Sequence, residues 1–284
     1  MDFVILQTFN GLSYGALLFL FASGLSLIFG VMRIINISHG SYYLLAGYIA
    51  FTLMQLVNSY LLGMLGASVV IGLLAVLMVR VFLRKLAGND LGQLLITMGF
   101  ALVFQDLALL IWGGDPSTIN VPNFLNGPLV VGHFYFPRYR IFMVLVAIFI
   151  GFWLWFFQAK TRVGAIVRAA VDNEEMACAM GINVPVVSMS VYALGAILAA
   201  IGGVIGGGFL SIYPGLDFEL LPYAFVVVIL GGRGSLEGAM LGSLVVGLVD
   251  NFGKVLFPEL SYFTLFAPMV LMLAIRPTGL FGKK

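Results

Sequence analysis

Few side chains in this sequence could do chemistry, and those few stand apart. Two histidines, His39 and His133, and one cysteine, Cys178, are the whole supply of imidazole and thiolate metal ligands. None falls in a metal-binding spacing. No serine or cysteine is accompanied by a base and an orienting acid. A phosphate loop of the G-x-x-x-x-G-K-[ST] kind is missing, and the closing Gly279-Leu280-Phe281-Gly282-Lys283-Lys284 does not match it. The chain therefore cannot bind and split ATP in that way. No catalytic, cofactor-binding or metal-binding residue is expected. Two carboxylates, Asp106 and Asp250, interrupt apolar runs, where a charge is costly and a functional candidate by default. Both lie towards the end of a run, and Lys254 one turn from Asp250 can neutralise it.

The chemistry that remains is mechanical. A segment of about thirty residues, 158–187, carries Lys160, Arg162, Arg168, Asp172, Glu174 and Glu175 in a chain that is otherwise poor in charge. Asp172 can cap a short helix with Glu175 at its third position. The glutamates favour the positive end of that helix. Gly181 then stops it where a left-handed residue is needed, and Pro185 suits the first turn of the next helix. A second short helix fits 162–170. Such a pair of small surface helices, rich in alanine and glycine, suits a handle gripped by a soluble partner. The alternative is a solvated loop lying on lipid headgroups.

The elements that must position this segment are membrane helices. The chain is 62% hydrophobic and 9% charged, against about 45–50% and about 25% in soluble domains. Its apolar runs are continuous, which excludes the alternation of a membrane barrel. They recur at lengths that cross a hydrocarbon core of roughly 30 Å. The expected fold is an all-α integral membrane protein, a polytopic bundle of about 8–10 transmembrane helices with some broken or short segments. Residues 1–284 are expected to form a single membrane domain with 158–187 as a loop within it. The single cysteine permits no internal disulfide. No cleavable signal is expected, since the apolar N-terminal segment lacks a basic flank.

The runs cover 12–31, 41–57, 61–83, 91–112, 141–157, 188–210, 221–230, 236–249 and 260–275. The seventh is too short for a straight span unless its ends extend. Basic residues mark the inner side. Arg80, Arg84, Lys85, Lys160, Arg162, Arg168, Arg276, Lys283 and Lys284 put the third turn, the charged segment and the C-terminus in the cytoplasm, with the N-terminus outside. Of fourteen basic residues, only Arg138, Arg140 and Lys254 then fall on the outer side. A loop over 113–140 and shorter turns over 211–220 and 258–262 form the outer face, with Asp217, Glu219 and Glu259.

Two glycine-bearing interruptions invite a functional reading. Asn36, Ser38, His39 and Gly40 sit at a span boundary, where broken backbone must be satisfied by protein or by a water-lined cavity. They are candidates for a gate or pathway, or form a turn whose histidine caps backbone groups. Gly231-Gly232-Arg233-Gly234-Ser235 is similar, with Arg233 free to bind headgroup phosphate or a neighbouring acid. Gly202/Gly206 and Gly203/Gly207 stand at G-x-x-x-G spacing, which lets helix backbones approach.

The stretch Arg168-Ala169-Ala170-Val171-Asp172-Asn173-Glu174-Glu175-Met176-Ala177-Cys178-Ala179-Met180-Gly181-Ile182-Asn183 resembles the coupling segment of permease subunits in bacterial ABC importers of the branched-chain amino acid (leucine–isoleucine–valine) family. Asn10-Gly11-Leu12-Ser13-Tyr14-Gly15-Ala16 is similar to that family's opening. Residues 27–40, ending Asn36-Ile37-Ser38-His39-Gly40, resemble its first-span exit. Residues 230–239 and the closing Arg276-Pro277-Thr278-Gly279-Leu280-Phe281-Gly282 resemble its C-terminal signatures. The matches run nearly end to end in order, closest to the shorter, LivH-type, of the two permease subunits. The family often has phenylalanine and alanine where Ile37 and Ser38 stand here, which leaves substrate open.

The resemblance implies a permease that passes branched-chain or other hydrophobic amino acids from a periplasmic binding protein across the bacterial inner membrane. Its partners would be a homologous second permease, two ABC ATPase subunits, the binding protein and the lipid bilayer, with no nucleic acid. ATP would be used by the ATPases, and this chain would bind no cofactor and be no enzyme. Arg168, Asp172, Glu174, Glu175, Ala177, Gly181 and Asn183 would form the ATPase-coupling loop, with Ala177 and Gly181 permitting close packing on the ATPase. Related permeases for urea, amides or small organic acids are the alternative within the class. A self-sufficient channel or secondary transporter is the alternative outside it, but it needs no docking segment and usually has mid-membrane ionisable sites.

Overall fold

Lipid offers backbone groups no hydrogen bond, so long apolar runs close their bonds within helices. A computed structural model describes residues 2–232, 234–276 and 279–281. Seven of its helices are long and apolar enough to cross a membrane: α1 (Asp2–Met32), α2 (His39–Val57), α3 (Tyr60–Val81), α4 (Asp90–Trp112), α5 (Arg138–Lys160), α8 (Val184–Gly207) and α10 (Leu236–Leu256). Two shorter apolar helices, α9 (Leu216–Gly231) and α11 (Ser261–Ile275), each contain a proline, Pro222 and Pro268. Two more, α6 (Arg162–Asp172) and α7 (Glu174–Ala179), form the charged segment. The long and short apolar helices together agree with the expected bundle of about 8–10.

Helix α1 is the mast. It is apolar on every side, the pattern of a fully enclosed helix, and it is buried almost without a break from Gly11 to Ile28. It packs mainly against α8 and α10, and α8 packs in turn against α2 and α3. The mast begins earlier than its apolar run. Gln7 and Asn10 do not break it, because Asn251 donates to the Gln7 side chain at 2.7 Å and Arg140 donates to Asn10. Large side chains such as Leu102, Leu110, Phe149 and Phe152 project outward from α4 and α5, as suits helices facing lipid or a neighbouring subunit.

Glycine sets the spacing between helices. A Cβ on Gly24 would run into the carbonyl oxygen of Gly195, so α1 and α8 touch backbone to backbone. The 195–208 stripe continues this seam. A Cβ on Gly203 would meet the Tyr43 backbone, and one on Gly206 the Tyr43 hydroxyl. The stripe thus seats α1 and α2 within this chain.

The loop between α4 and α5 is more ordered than its sequence suggests. Strands β1 (Pro128–Val131) and β2 (Phe134–Pro137) pair antiparallel, built from valine, phenylalanine and tyrosine around Gly132 at φ +62°. Ser117 and Ile212 exchange backbone hydrogen bonds of 2.8 and 2.7 Å, tying this loop to the 208–215 connection. The sequence-based outer turn over 211–220 is also corrected: from Leu216 it is helix, and Asp217 is buried rather than displayed.

If backbone contact between α1 and α8 governs stability, Gly24→Ala lowers the thermal midpoint of the purified protein in detergent, by the equivalent of about 1–3 kcal/mol of overpacking. Gly99→Ala on α4, where a Cβ meets nothing within 4 Å, leaves the midpoint unchanged or raises it.

Candidate functional site

The charged segment folds as a braced bracket. Thr161 caps α6 by accepting from Gly164 N at 3.1 Å. Asn173, not Asp172, caps α7, its Oδ1 accepting from Met176 N at 2.9 Å. The expected cap fails because Asp172 still belongs to α6, leaving the next residue as the first free side chain. Glu174 and Glu175 occupy the first turn of α7, where the helix dipole favours them. Gly181 stands at φ +83°. Its amide reaches Cys178 O at 2.9 Å and Ile182 N reaches Ala177 O at 3.0 Å, the closing pattern expected of a glycine stop. Asn183 caps α8, accepting from Val186 N at 3.3 Å, and Pro185 lies within the first turn.

Which face the bracket presents differs from expectation. Ala177 is 2% exposed and packs with Ala170 and Val184 in a small satellite core. Its small side chain serves the packing of α6, α7 and α8 on each other, not the approach of a partner. The outward face instead carries Met176 and Met180, 60% and 78% exposed, one turn apart, beside exposed Glu174, Glu175, Cys178 and Arg168. The i, i+4 spacing of the two methionines was the available signal.

The Asn36–Gly40 interruption lies deep in the bundle. Arg33 ends α1 at φ +56°, and the chain turns back inside: Ile34 is 4% exposed, and Asn36, Ser38 and His39 are fully enclosed. His39 Nε2 lies 3.0 Å from Phe21 O, and the ring stacks on Phe21. Phe21 precedes the end of α1 by about three turns, roughly 16 Å. Helix α2 therefore begins beside the middle of α1, about three turns back from its end. Ser38 donates to Asn36 Oδ1 at 2.7 Å and Ile37 N to Thr97 Oγ1 at 3.3 Å. Tyr42 meets Tyr192 at 3.0 Å and Met78 Sδ at 2.8 Å, binding the joint to α8 and α3.

Asp217, read from the sequence only as an acid of the outer face, completes this joint. Ser41 donates to its Oδ2 at 2.9 Å, and a Cβ on Gly40 would sit 2.7 Å from the Asp217 carbonyl. The first turns of α2 and α9 thus meet, which places the carboxylate near two positive helix ends. Asn36 Nδ2, His39 Nδ1 and Asp217 Oδ1 have no hydrogen-bond partner among the described residues. The interruption is a packed joint between helices. Arg233 lies outside the described residues. Its flanking glycines, Gly232 and Gly234, have φ +96° and +75°, and Gly234 abuts Gly30. Leu280 N and Phe281 N donate to Leu230 O and Gly231 O at 2.9 and 3.1 Å, so the two C-terminal signatures form one element that caps α9. Asp250 is buried and paired with Lys254 at 2.7 Å. Asp106 is exposed on α4.

Residues 7–273 match the family model described as branched-chain amino acid transport system / permease component. The chain is 30% identical, over 98% of its own length and 95% of the relative's, to the high-affinity branched-chain amino acid transport system permease protein BraD of Pseudomonas aeruginosa. The same figures hold for the LivH permease protein of Escherichia coli K12. It is 31% identical over 63% of its length, and 57% of the relative's, to the ribose import permease protein RbsC of Bacillus subtilis. No solved structure matches it.

The bracket's packing is open to test by limited proteolysis of the detergent-solubilised protein. Ala177→Trp overpacks the satellite core and speeds cleavage between α6 and α8 by about tenfold. Met180→Ala, on the outward face, leaves the cleavage rate unchanged.

Proposed function

The chain belongs to the permease family of branched-chain amino acid transport systems, and on that premise we propose that it carries branched-chain or other hydrophobic amino acids inward as one half of an ATP-driven permease pair. It is a multi-pass membrane permease component of an ABC importer. A periplasmic binding protein delivers the solute, a homologous second permease shares the pathway, and two ATPase subunits dock from the cytoplasm. The names of its full-length relatives support the substrate class. The basic residues at the span ends support a cytoplasmic C-terminus and charged segment.

The observation that carries this reading is the bracket. Its inward side is cemented to α8 by Ala170, Ala177 and Val184, while its outward side offers two flexible methionines ringed by charge. Exposed methionine adapts to a partner's groove, and an apolar centre with a polar rim is the common anatomy of a protein interface. Closure of the ATPases on ATP pushes α7, and the push passes through the Asn183 cap into α8. Helix α8 touches α1 at Gly24/Gly195 and α2 at Gly203/Tyr43, so it carries the displacement to the Asn36–Gly40 joint. The unpaired polar atoms there have hydrogen bonds to gain on rearrangement, which suits a joint that switches.

Cys178, exposed and the sole cysteine, reports on this arrangement. A membrane-impermeant maleimide should label it in inside-out vesicles but not in intact cells. Bound ATPase should protect it. Labelling from the periplasmic side reverses the orientation, and labelling unaffected by the ATPase removes the docking role.

A further inference from the structure

At the end of the bundle opposite the bracket, a cavity of about 500 Å³ opens between α1, the start of α5, the 208–215 connection, α9 and α10. That volume falls within the roughly 300–1,000 Å³ of small-molecule sites. Its charged walls are two cations and two anions: Arg140, Lys254, Glu219 and Asp250. One cation and one anion neutralise each other, Lys254 on Asp250 at 2.7 Å, with Tyr223 donating to the same carboxylate. The other two are not so paired. Arg140 is half-buried, donates to the neutral Asn10 side chain and lies 5.0 Å from the Phe209 ring centre. Among the described residues no carboxylate forms an ion pair with it. Glu219 accepts from Tyr213 at 2.7 Å and has no cation beside it among the described residues. Burial and then the Glu219 carboxylate push the Tyr213 phenol up to about 12, so it remains a donor at neutral pH. Leu216 and Leu220 supply an apolar wall.

We propose that this cavity is a transient binding site for the zwitterionic head of an α-amino acid with an apolar side chain. The Arg140 guanidinium takes the substrate carboxylate, since its fork matches that group. Glu219 takes the ammonium, and Leu216 and Leu220 receive the side chain. The lining sums to no net charge, which favours a zwitterion over a cation or an anion. The inference rests on the import reading and deepens it: the site is a first stop on the outer side, selecting for both charges of the backbone head.

The probe is photoleucine, the diazirine analogue of leucine, irradiated with the assembled importer in nanodiscs and mapped by mass spectrometry. Adducts are expected within 209–220. Excess leucine should displace them. Leucinamide, which lacks the carboxylate, and 4-methylpentanoate, which lacks the ammonium, should not. Arg140→Gln and Glu219→Gln should each cut labelling about tenfold, the scale of one charge-assisted hydrogen bond. Glu219 is exposed, so its variant remains informative if the arginine variant misfolds. Labelling that leucinamide displaces as well as leucine does, or that both variants retain in full, overturns the proposal. Labelling that leucine cannot displace assigns the cavity to a lipid headgroup and also overturns it. Absence of leucine uptake by wild-type proteoliposomes would fault the import reading instead, whereas intact uptake with charge-independent labelling faults only this site.

Discussion

Hydrocarbon offers a peptide group no hydrogen bond, and that constraint decides how this chain breaks its helices. Among the described residues, two interruptions within the bundle are covered by protein. In the 33–38 segment Thr97 Oγ1 accepts from Ile37 N, and Asn36 O accepts from His39 N. The end of α9 is covered by the returning backbone of 279–281. The cost of an orphaned backbone group in lipid is several kcal/mol, so these covers are conditions for the fold. They also explain why α1 is enclosed on every side: a central apolar helix is the surface against which broken neighbours can be buried.

Close approach follows from the same constraint. Lipid tails are as apolar as leucine, so helices gain little from apolar contact alone and associate through tight packing. Glycine at 24 and 195, at 203 and at 234 brings backbones together along one connected path. That path runs from the surface bracket through α8 to the mast and the deep start of α2. A force applied at α7 meets no flexible linker along it, because Asn183 caps α8 directly after the glycine stop.

The membrane helices and the bracket were legible in the sequence because run length, a glycine stop and a span-leading proline are local signals. Gly181 acts as they indicate. What was not legible depends on three-dimensional neighbours. Asp172 and Asn173 are both good capping residues, and the choice turned on where α6 ends. Ala177 reads as permissive surface until Ala170 and Val184 close over it. Asn36–Gly40 reads as a boundary turn because charge and polarity end the apolar run there. Nothing local says that the chain then re-enters the bundle. Asp217 reads as an acid of the outer face for the same reason: an acid beside a turn is ordinary, and its meeting with Ser41 spans the whole fold. The β1–β2 pair is too short to stand out beside helices.

The central claim is that this chain moves solute only as part of an ATP-driven assembly. Uptake of labelled leucine into proteoliposomes tests it most directly, comparing the full set of two permeases, ATPases and binding protein with this chain alone. The account predicts concentrative, ATP-dependent uptake by the full set and none by the isolated chain. Uptake by the isolated chain, or uptake by the full set that persists without ATP, would contradict it.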